Sequence, residues 1–253
     1  MILDQFKLDG QVAVVTGASR GLGLSVATAL AQAGADIVSV QRSGNTAAIE
    51  NAVREAGRKI LCVSLDVAEI TAAQRVLDAT LAHFGHVDIL VNNAGITKRT
   101  PSADFALADF DALINTNLRS LFLFCQVFGR EMLRQGHGKI INMGSLLSYQ
   151  GGFTVPAYAA SKHAVSGLTK SLCNEWASKG INVNCIAPGY MATDMNVALM
   201  NDPVRSRQIG ERIPAGRWGA ADDVGGLAVF LASSASSFIH GQTIAVDGGW
   251  MAR

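Results

Sequence analysis

Short apolar runs alternate with longer amphipathic stretches along the chain. The runs QVAVVTG and DIVSV are rich in β-branched residues, and similar runs return at KILCVSLDV, VDILVNNAG and KIINMGS. Strands that are apolar on both faces are typical of a parallel sheet covered by helices on both sides. The alternation of strand and helix therefore predicts an α/β fold with a doubly wound parallel sheet and right-handed crossovers.

This rhythm has one interruption, late in the chain. No linker rich in proline or serine and no charge block divides the sequence, so we predict a single domain over residues 1–253. Residues 190–218 break the rhythm where open α/β sheets bind ligands, at the carboxyl ends of the strands. We interpret this segment as a lobe that covers the substrate, with ordinary surface helices as the alternative.

Composition and charge narrow the classes of function. The 253 residues are 49% hydrophobic and 16% charged, as in a well-buried globular protein. The net charge of +1 balances 21 basic against 20 acidic residues, which argues against nucleic acid as a partner. No stretch reaches the roughly 18 apolar residues that a membrane helix needs, and we expect a cytoplasmic protein that binds no membrane.

Four cysteines stand singly in apolar stretches, at Cys62, Cys125, Cys173 and Cys185. They form no C-x-x-C pair, so we expect buried structural thiols in a reducing compartment and neither disulfides nor a metal site.

A glycine-rich turn follows the first predicted strand and opens the first predicted helix. In VVTGASRGLG, Gly17, Gly21 and Gly23 have the spacing G-x-x-x-G-x-G. Glycine lets the backbone turn sharply and approach a pyrophosphate, whose charge is favoured at a helix N-terminus. Glycines also occupy such turns for packing alone, but the position in the first strand–helix–strand unit predicts a dinucleotide site and a Rossmann fold.

The residues after the second predicted strand bear on the choice of nucleotide. A carboxylate that binds the ribose hydroxyls is expected there, but Gln41 and Arg42 occupy the place. A carboxylate would repel a 2′-phosphate, whereas Arg42 and Arg20 offer it two cationic partners. We therefore slightly favour NADP(H) over NAD(H). In the alternative, Gln41 bonds a plain ribose and Arg42 is only solvated.

A phenol and an ammonium are four residues apart in the segment YAASK. On a helix, Tyr158 and Lys162 would share one face and point into one cavity. A nearby ammonium stabilises a phenolate and lowers its pKa from ~10, so Lys162 would prepare Tyr158 for acid–base catalysis. This spacing is common by chance, and its meaning depends on other positions.

Two polar residues supply that context. Ser145 follows a predicted strand that reaches the same edge of the sheet as the glycine turn, where a hydroxyl can donate to a substrate carbonyl oxygen. Asn117 lies inside a predicted helix, a poor place for asparagine unless its amide holds a water or a backbone group.

In this order along a parallel sheet, the motifs resemble the short-chain dehydrogenase/reductase family from about residue 8 to the C-terminus. The resemblance is carried by TGASRGLG at 16–23, Asp66-Val67, NNAG at 92–95, Asn117, Ser145, YAASK at 158–162 and PGYMAT at 188–193. It implies an NAD(P)-dependent oxidoreductase that moves hydride between nicotinamide and a secondary alcohol or ketone without a metal.

The resemblance also implies residue roles. Tyr158 would be the general acid/base, and Lys162 would lower its pKa and bind the nicotinamide ribose. Ser145 would orient the carbonyl, and Asn117 would hold a water of the proton relay. The cofactor contacts would be Gly17, Ser19, Arg20, Gly21, Leu22, Gly23, Gln41, Arg42, Asp66, Val67, Asn93, Ala94, Gly95, Tyr158, Lys162, Pro188, Gly189, Met191 and Thr193. Taken singly, Asp66 could be a helix cap and Asn93 a turn former.

Further segments resemble one group within this family. NNAGITKR, SLLSYQGG, NEWA, IPAGRWG and AVDGGWMAR are similar to 2-dehydro-3-deoxy-D-gluconate 5-dehydrogenases, also described as 2-deoxy-D-gluconate 3-dehydrogenases. The implied substrate is a small, anionic, hydroxyl-rich keto-deoxy sugar acid. Members of the group often use NAD, so Gln41 and Arg42 mark a departure.

A carboxylate substrate needs a cationic or amide partner. Arg99 and Gln150 are our candidates to contact it together with Ser145 and Tyr158, and Lys98 is a weaker candidate. The alternative for Arg99 is a surface or subunit-contact residue.

Oligomeric state rests on the resemblance alone. Because family members are typically tetramers, we expect a homotetramer in which Trp250 and Arg253 of the tail reach a neighbouring subunit.

Other functions remain open at this point. Gluconate 5-dehydrogenases share most of these residues. A 3-oxoacyl carrier-protein reductase, which TGASRGLG also resembles, would want a basic docking patch near the cleft. A non-catalytic dinucleotide-sensing regulator is a further alternative, but such proteins commonly lose the tyrosine or lysine that this chain keeps.

Overall fold

The computed structural model describes residues 1–42 and 44–253, which build one parallel sheet of seven strands. The strand order across the sheet is β3-β2-β1-β4-β5-β6-β7. The strands are β1 Val12–Thr16, β2 Asp36–Gln41, β3 Ile60–Ser64, β4 Ile89–Asn92, β5 Gly138–Met143, β6 Ile181–Pro188 and β7 Thr243–Val246. The predicted doubly wound Rossmann fold is confirmed.

Helices connect the strands. In the described ranges they are α1 Gly21–Gln32, α2 Ala47–Glu55, α3 Ala72–Phe84, α4 Leu107–Ile114, α5 Ser120–Gln135, α6 Pro156–Trp176, α7 Val197–Met200, α8 Pro203–Arg212 and α9 Gly225–Ala232. A π-helical turn, Asn115–Arg119, joins α4 to α5. Across these same ranges, no helix is both long enough and apolar enough to span a membrane.

Both faces of the sheet are buried, which explains why the strands read as continuous apolar runs. Val14 of β1 packs in one core with Phe124 and Phe128 of α5, whose rings stack 5.8 Å apart. Its neighbour Val15 packs in a second core, on the opposite face, with residues of α1 and α9. Successive side chains thus feed two separate cores.

Parallel pairing brings the carboxyl ends of the strands to one edge of the sheet. Asn92 of β4 pairs with Asn142 of β5, and Met143 pairs with Ile186 of β6. The chain order reverses between β1 and β4, a switch point where open α/β sheets bind ligands. The glycine turn, Ser145 and the end of β6 therefore surround one crevice.

The segment 190–218 contains α7 and α8 and packs back against this edge. Ile209 and Ile213 form an apolar cluster with Leu146, which follows Ser145, and with Trp250 of the tail. The segment therefore lies beside the strand ends, where it was predicted. Its role as a cover for substrate remains a prediction.

Candidate active site

The glycine turn is fastened to the end of β4 by hydrogen bonds. Asn93 Nδ2 donates to the carbonyl oxygens of Thr16 at 3.0 Å and Gly17 at 3.2 Å. The backbone N–H groups of Asn93 and Ala94 each donate to Thr16 Oγ1 at 3.0 Å. The Asn93 side chain thus holds the turn in place. Sequence reasoning did not select Thr16, although it is the first letter of TGASRGLG.

The turn has the shape that a pyrophosphate requires. A Cβ on Gly23 would lie 2.1 Å from Gly17 O, so the close approach needs glycine. Gly21, with a φ of +54°, opens α1 and faces Thr193 across the crevice. The N-cap residue of α1, Arg20, makes no side-chain capping bond, which leaves the first N–H groups of the helix to a ligand. These residues fit a dinucleotide.

The two residues at the end of β2 differ in exposure. Gln41 is 3% exposed, and its Oε1 accepts a hydrogen bond from Ser39 Oγ. Ser39 and Gln41 are two residues apart on a strand, so both point to the same buried face. Gln41 therefore points inward, where its Nε2 has no hydrogen-bond partner among the described residues, and its contact with a ribose remains a prediction. The side chain of Arg42 is 79% exposed, with Nη1 3.8 Å from Asp66 Oδ2.

Other predicted cofactor residues have structural contacts within the chain. Asp66 Oδ1 accepts a hydrogen bond from Ala68 N at 2.9 Å, so this carboxylate also caps its own turn. A Cβ on Gly189 would lie 2.7 Å from Asp247 Cα, which requires glycine after Pro188. Met191 is buried under Gly219, so its side chain supports the crevice wall from inside.

The smaller members of the predicted set lie at the crevice. Ser19, Leu22, Ala94 and Gly95 are each half-buried, whereas Val67 is buried. No contact of theirs with a cofactor is tested by the structure, and these assignments remain predictions.

Tyr158 and Lys162 lie in the first turns of α6, which begins at Pro156. Lys162 Nζ is 5.5 Å from the centroid of the Tyr158 ring, so the two side chains share the predicted cavity. Lys162 is buried, and its Nζ donates to Met143 O at 2.6 Å. Burial lowers the pKa of Lys162 to about 8.

The direction of the Tyr158 pKa shift differs from the expectation. Burial raises the pKa of Tyr158, while the nearby Ser145 hydroxyl and the charge of Arg99 lower it, and the net shift is upward. The Lys162 ammonium donates to the Met143 carbonyl and lies 5.5 Å from the ring centroid, where it favours the phenolate without reversing the upward shift of the pKa that burial causes. In the chain alone, the phenol therefore stays protonated at neutral pH.

Ser145 is fixed at the start of a 3-10 turn. Its Oγ accepts a hydrogen bond from Leu147 N at 3.2 Å, and its N–H donates to Ser148 Oγ at 3.3 Å. Ser148 Oγ in turn donates to Lys162 O at 2.8 Å. Ser148, which sequence reasoning missed, thus ties Ser145, two residues after β5, to the helix that carries Tyr158.

Asn117 lies in the π-helical turn and is almost fully buried. Its Oδ1 accepts from Ile96 N at 2.8 Å and its Nδ2 donates to Ile96 O at 2.9 Å, while Ser161 Oγ of α6 lies 3.5 Å from Nδ2. The amide therefore holds a backbone group, one of its two predicted tasks. π-Helical turns inside α-helices are frequent at functional sites.

The three residues predicted to contact the substrate carboxylate, Arg99, Lys98 and Gln150, differ in their contacts. Arg99 is exposed but close enough to Tyr158 for its charge to act on the phenol. Lys98 is directed away, with Nζ 3.5 Å from Asp109 Oδ2. Gln150 Oε1 accepts a hydrogen bond from Trp250 Nε1 at 3.0 Å.

The tail packs on its own chain. Trp250 is 5% exposed. Arg253 Nη2 donates to Glu211 O at 2.5 Å and its Nε donates to Arg212 O at 3.2 Å. These contacts lie within one chain, and the contact of Trp250 and Arg253 with a neighbouring subunit remains a prediction.

The four cysteines are free thiols. Cys125 and Cys185 are buried, and burial raises the pKa of Cys125 to about 12 and that of Cys185 to about 11. Cys62 and Cys173 are half-buried. Protonated buried thiols fit a structural role better than a reactive one.

Comparison with known proteins identifies the class of this protein. A family model described as enoyl-(acyl carrier protein) reductase matches residues 17–251. Together with the sheet and the site, this match shows that the chain belongs to the short-chain dehydrogenase/reductase family, as the motifs predicted. It is an NAD(P)-dependent oxidoreductase that acts on CH–OH groups.

Sugar-acid dehydrogenases are among the relatives that this chain resembles over its full length. The 2-dehydro-3-deoxy-D-gluconate 5-dehydrogenase of Dickeya dadantii is 50% identical over 254 residues, 100% of each chain. The enzyme of that name from Bacillus subtilis is 50% identical over 250 residues, 99% of this chain and 98% of the relative. A solved structure that resembles this chain is the gluconate 5-dehydrogenase of Burkholderia cenocepacia in complex with NADP and tartrate. The two chains are 44% identical and superpose with a TM-score of 0.96, and the match covers 100% of each chain.

Proposed function

We propose that the protein transfers hydride between NADP(H) and a secondary alcohol or ketone of a keto-deoxy sugar acid, in the manner of a 2-dehydro-3-deoxy-D-gluconate 5-dehydrogenase. The observation that carries this is the cluster of Tyr158, Ser145 and Arg99 at the carboxyl edge of the sheet. It combines a proton donor, a second hydroxyl and a cation for an anionic substrate. Full-length identity of 50% to enzymes of that name supports it.

The cofactor would lie along the crevice at the switch point. The glycine turn and the N-terminus of α1 would hold its pyrophosphate, and Arg42 would face a 2′-phosphate. Arg20, which is exposed and has Nη1 3.4 Å from Asp194 Oδ2, would join it by leaving that weak surface pair. Arg42 is exposed where a ribose-binding carboxylate would otherwise stand, and a relative binds NADP. When bound, the nicotinamide supplies or accepts the hydride.

The protein's own side chains would handle the proton. In reduction, Tyr158 Oη donates a proton to the carbonyl oxygen while the Ser145 hydroxyl donates a hydrogen bond to that oxygen. In oxidation, the same phenol accepts the proton. The Lys162 ammonium, with a pKa of about 8, carries charge beside Tyr158 at neutral pH and favours the phenolate once the ion forms. Asn117 would hold the loop after β4 and a relay water.

The substrate carboxylate would lie between Arg99 and Gln150, under the lobe formed by residues 190–218. The relative's tartrate is also a small hydroxylated carboxylate, which supports a pocket of this chemistry. A homotetramer in the cytoplasm remains our expectation for the assembly and its location.

Gluconate 5-dehydrogenase activity is the second candidate. It is favoured by the full-length likeness to the Burkholderia cenocepacia enzyme. Gluconate carries the same carboxylate but keeps the hydroxyl at the carbon that is deoxygenated in the first substrate class.

The test is a matrix of substrates and cofactors followed by absorbance at 340 nm. The 2,5-diketo-3-deoxy acid and 5-ketogluconate are each reduced with NADPH and with NADH, and kcat/KM is compared. We expect the highest value for the keto-deoxy acid with NADPH, and loss of turnover in Tyr158→Phe with cofactor binding retained. A higher value for 5-ketogluconate would replace the first substrate with the second, and unchanged turnover in the variant would remove Tyr158 as the acid/base.

A further inference from the structure

The indole of Trp250 joins the C-terminal tail to the loop after β5. Its Nε1 donates to Gln150 Oε1 at 3.0 Å, a contact between residues 100 positions apart in sequence. Gln150 is itself anchored, since its N–H donates to Leu146 O at 3.0 Å. Leu146 directly follows Ser145 and packs against Trp250. The tail therefore meets the substrate side of the site within one turn of Ser145.

This bond fixes which end of the Gln150 amide is free. An indole N–H can only donate, so the atom that receives it must be the amide oxygen. The remaining Nε2 group carries two donors and no acceptor. Gln150 thus offers its environment two N–H donors on Nε2, which suit oxygen acceptors such as a carboxylate.

A guanidinium holds the indole from its face. Arg212 Cζ of α8 lies 3.9 Å from the centroid of the Trp250 ring, a cation–π contact. No carboxylate in residues 1–42 and 44–253 forms an ion pair with Arg212, so its charge is not neutralised locally. The Tyr190 ring packs 4.6 Å from the same indole. The indole therefore contacts two groups that can interact with an anion: the Gln150 amide at its N–H and the Arg212 guanidinium on its ring face.

We propose that Trp250 is a positioning residue for the substrate carboxylate. It orients Gln150 so that Nε2 donates to the carboxylate, while the exposed guanidinium of Arg212 packs on the indole face and holds the ring in place. This inference rests on the proposed function in one respect, that the substrate is a carboxylate. It adds that the selection of anions depends on the protein's own tail.

Trp250→Phe tests the positioning role because it keeps an aromatic ring but removes the N–H together with part of the indole, a loss of ring that Trp218→Phe reproduces without the hydrogen bond. We expect KM for the sugar acid to rise about tenfold with kcat within twofold of the parent, since one oriented hydrogen bond is lost. The matched control is Trp218→Phe. Trp218 packs against Tyr190 in the same cluster but does not bond Gln150. Dissociation constants for NADPH and thermal midpoints confirm that both variants are folded and bind cofactor.

The carboxamide analogue of the same substrate tests the choice of a carboxylate. The parent should prefer the acid over the carboxamide, and Trp250→Phe should narrow that preference about tenfold. Gln150→Glu, which can still accept from the indole but places a negative charge at the site, should abolish the preference. Equal effects of the two tryptophan variants, or equal loss for acid and carboxamide, would overturn the proposal. If the parent prefers gluconate, the same comparison with gluconamide separates this inference from the substrate assignment.

Discussion

Gln41, the last residue of β2, is buried, whereas Arg42, which follows it, is exposed. Arg42 is therefore the residue whose side chain can reach a nucleotide from solvent. Gln41 is bonded to Ser39 inside the fold, whereas Arg42 reaches solvent beside Asp66. The pair at 3.8 Å is exposed on both sides, so the carboxylate holds Arg42 only weakly. The guanidinium is therefore free to pair with a 2′-phosphate.

Replacing Arg42 should change the choice of cofactor. Arg42→Ala is expected to raise KM for NADPH about tenfold, the loss of one charge-assisted contact of about 1.4 kcal/mol, with KM for NADH within twofold. Initial rates at a fixed substrate concentration measure both constants. Arg134→Ala is the control, because Arg134 is an exposed arginine paired with Glu131 in the last turn of α5, at the edge of the sheet opposite the crevice. Equal changes for NADPH and NADH would make Arg42 a solvated residue and reopen NAD(H).

The helices α5 and α6 meet so closely that only glycine fits at one crossing. A Cβ on Gly129 of α5 would lie 2.6 Å from Cη2 of Trp176 of α6. Both residues are buried, so the ring has little room to move. Because α6 carries Tyr158 and Lys162, this contact helps to set where the catalytic helix lies on the sheet.

Adding one methyl group at that crossing should destabilise the fold. Gly129→Ala is expected to lower the free energy of unfolding by about 1–3 kcal/mol, the usual cost of overpacking a core. Gly167→Ala on α6 is the matched control, because nothing lies within 4 Å of a Cβ there. It should raise stability by about 0.5–1 kcal/mol through helix propensity. Urea unfolding measures both, and a neutral result for Gly129→Ala would show that the two helices can separate.

Over the whole molecule, buried lysines and buried cysteines have opposite effects on the free energy of unfolding at alkaline pH. Burial lowers the pKa of Lys139 and of Lys162 to about 8 from 10.5, so the unfolded chain binds more protons between these values. Burial raises the pKa of Cys185 to about 11 and of Cys125 to about 12 from 9.0, so the folded chain binds more protons above pH 9. Stability rises with pH wherever the unfolded state holds more protons.

The free energy of unfolding should therefore increase from pH 8 to 9 and level off or fall above about pH 9. Urea unfolding in steps of half a pH unit measures it. Lys139→Met removes one lysine at the opposite end of β5 from Ser145 and should flatten the increase. A free energy that falls steadily from pH 8, or the same increase in the variant, would contradict this assignment.

The pattern of the sequence determined the strand and helix alternation, the dinucleotide turn and the pairing of Tyr158 with Lys162 on one face. Each of these depends on local periodicity or on a spacing of a few residues, which the chain encodes without reference to distant parts. The doubly wound sheet then brought Ser145 and the glycine turn to one edge, as parallel strands require.

Only the tertiary structure decided how several side chains are used. Gln41 turns inward because the face that it shares with Ser39 is covered by helices. Lys162 is buried with its ammonium on a carbonyl of β5, and this burial lowers its pKa to about 8. Trp250 donates its indole N–H to Gln150, which lies 100 residues earlier in the chain. Each outcome depends on which surfaces meet after folding, and contacts between residues far apart in the chain leave no periodic signal in the sequence.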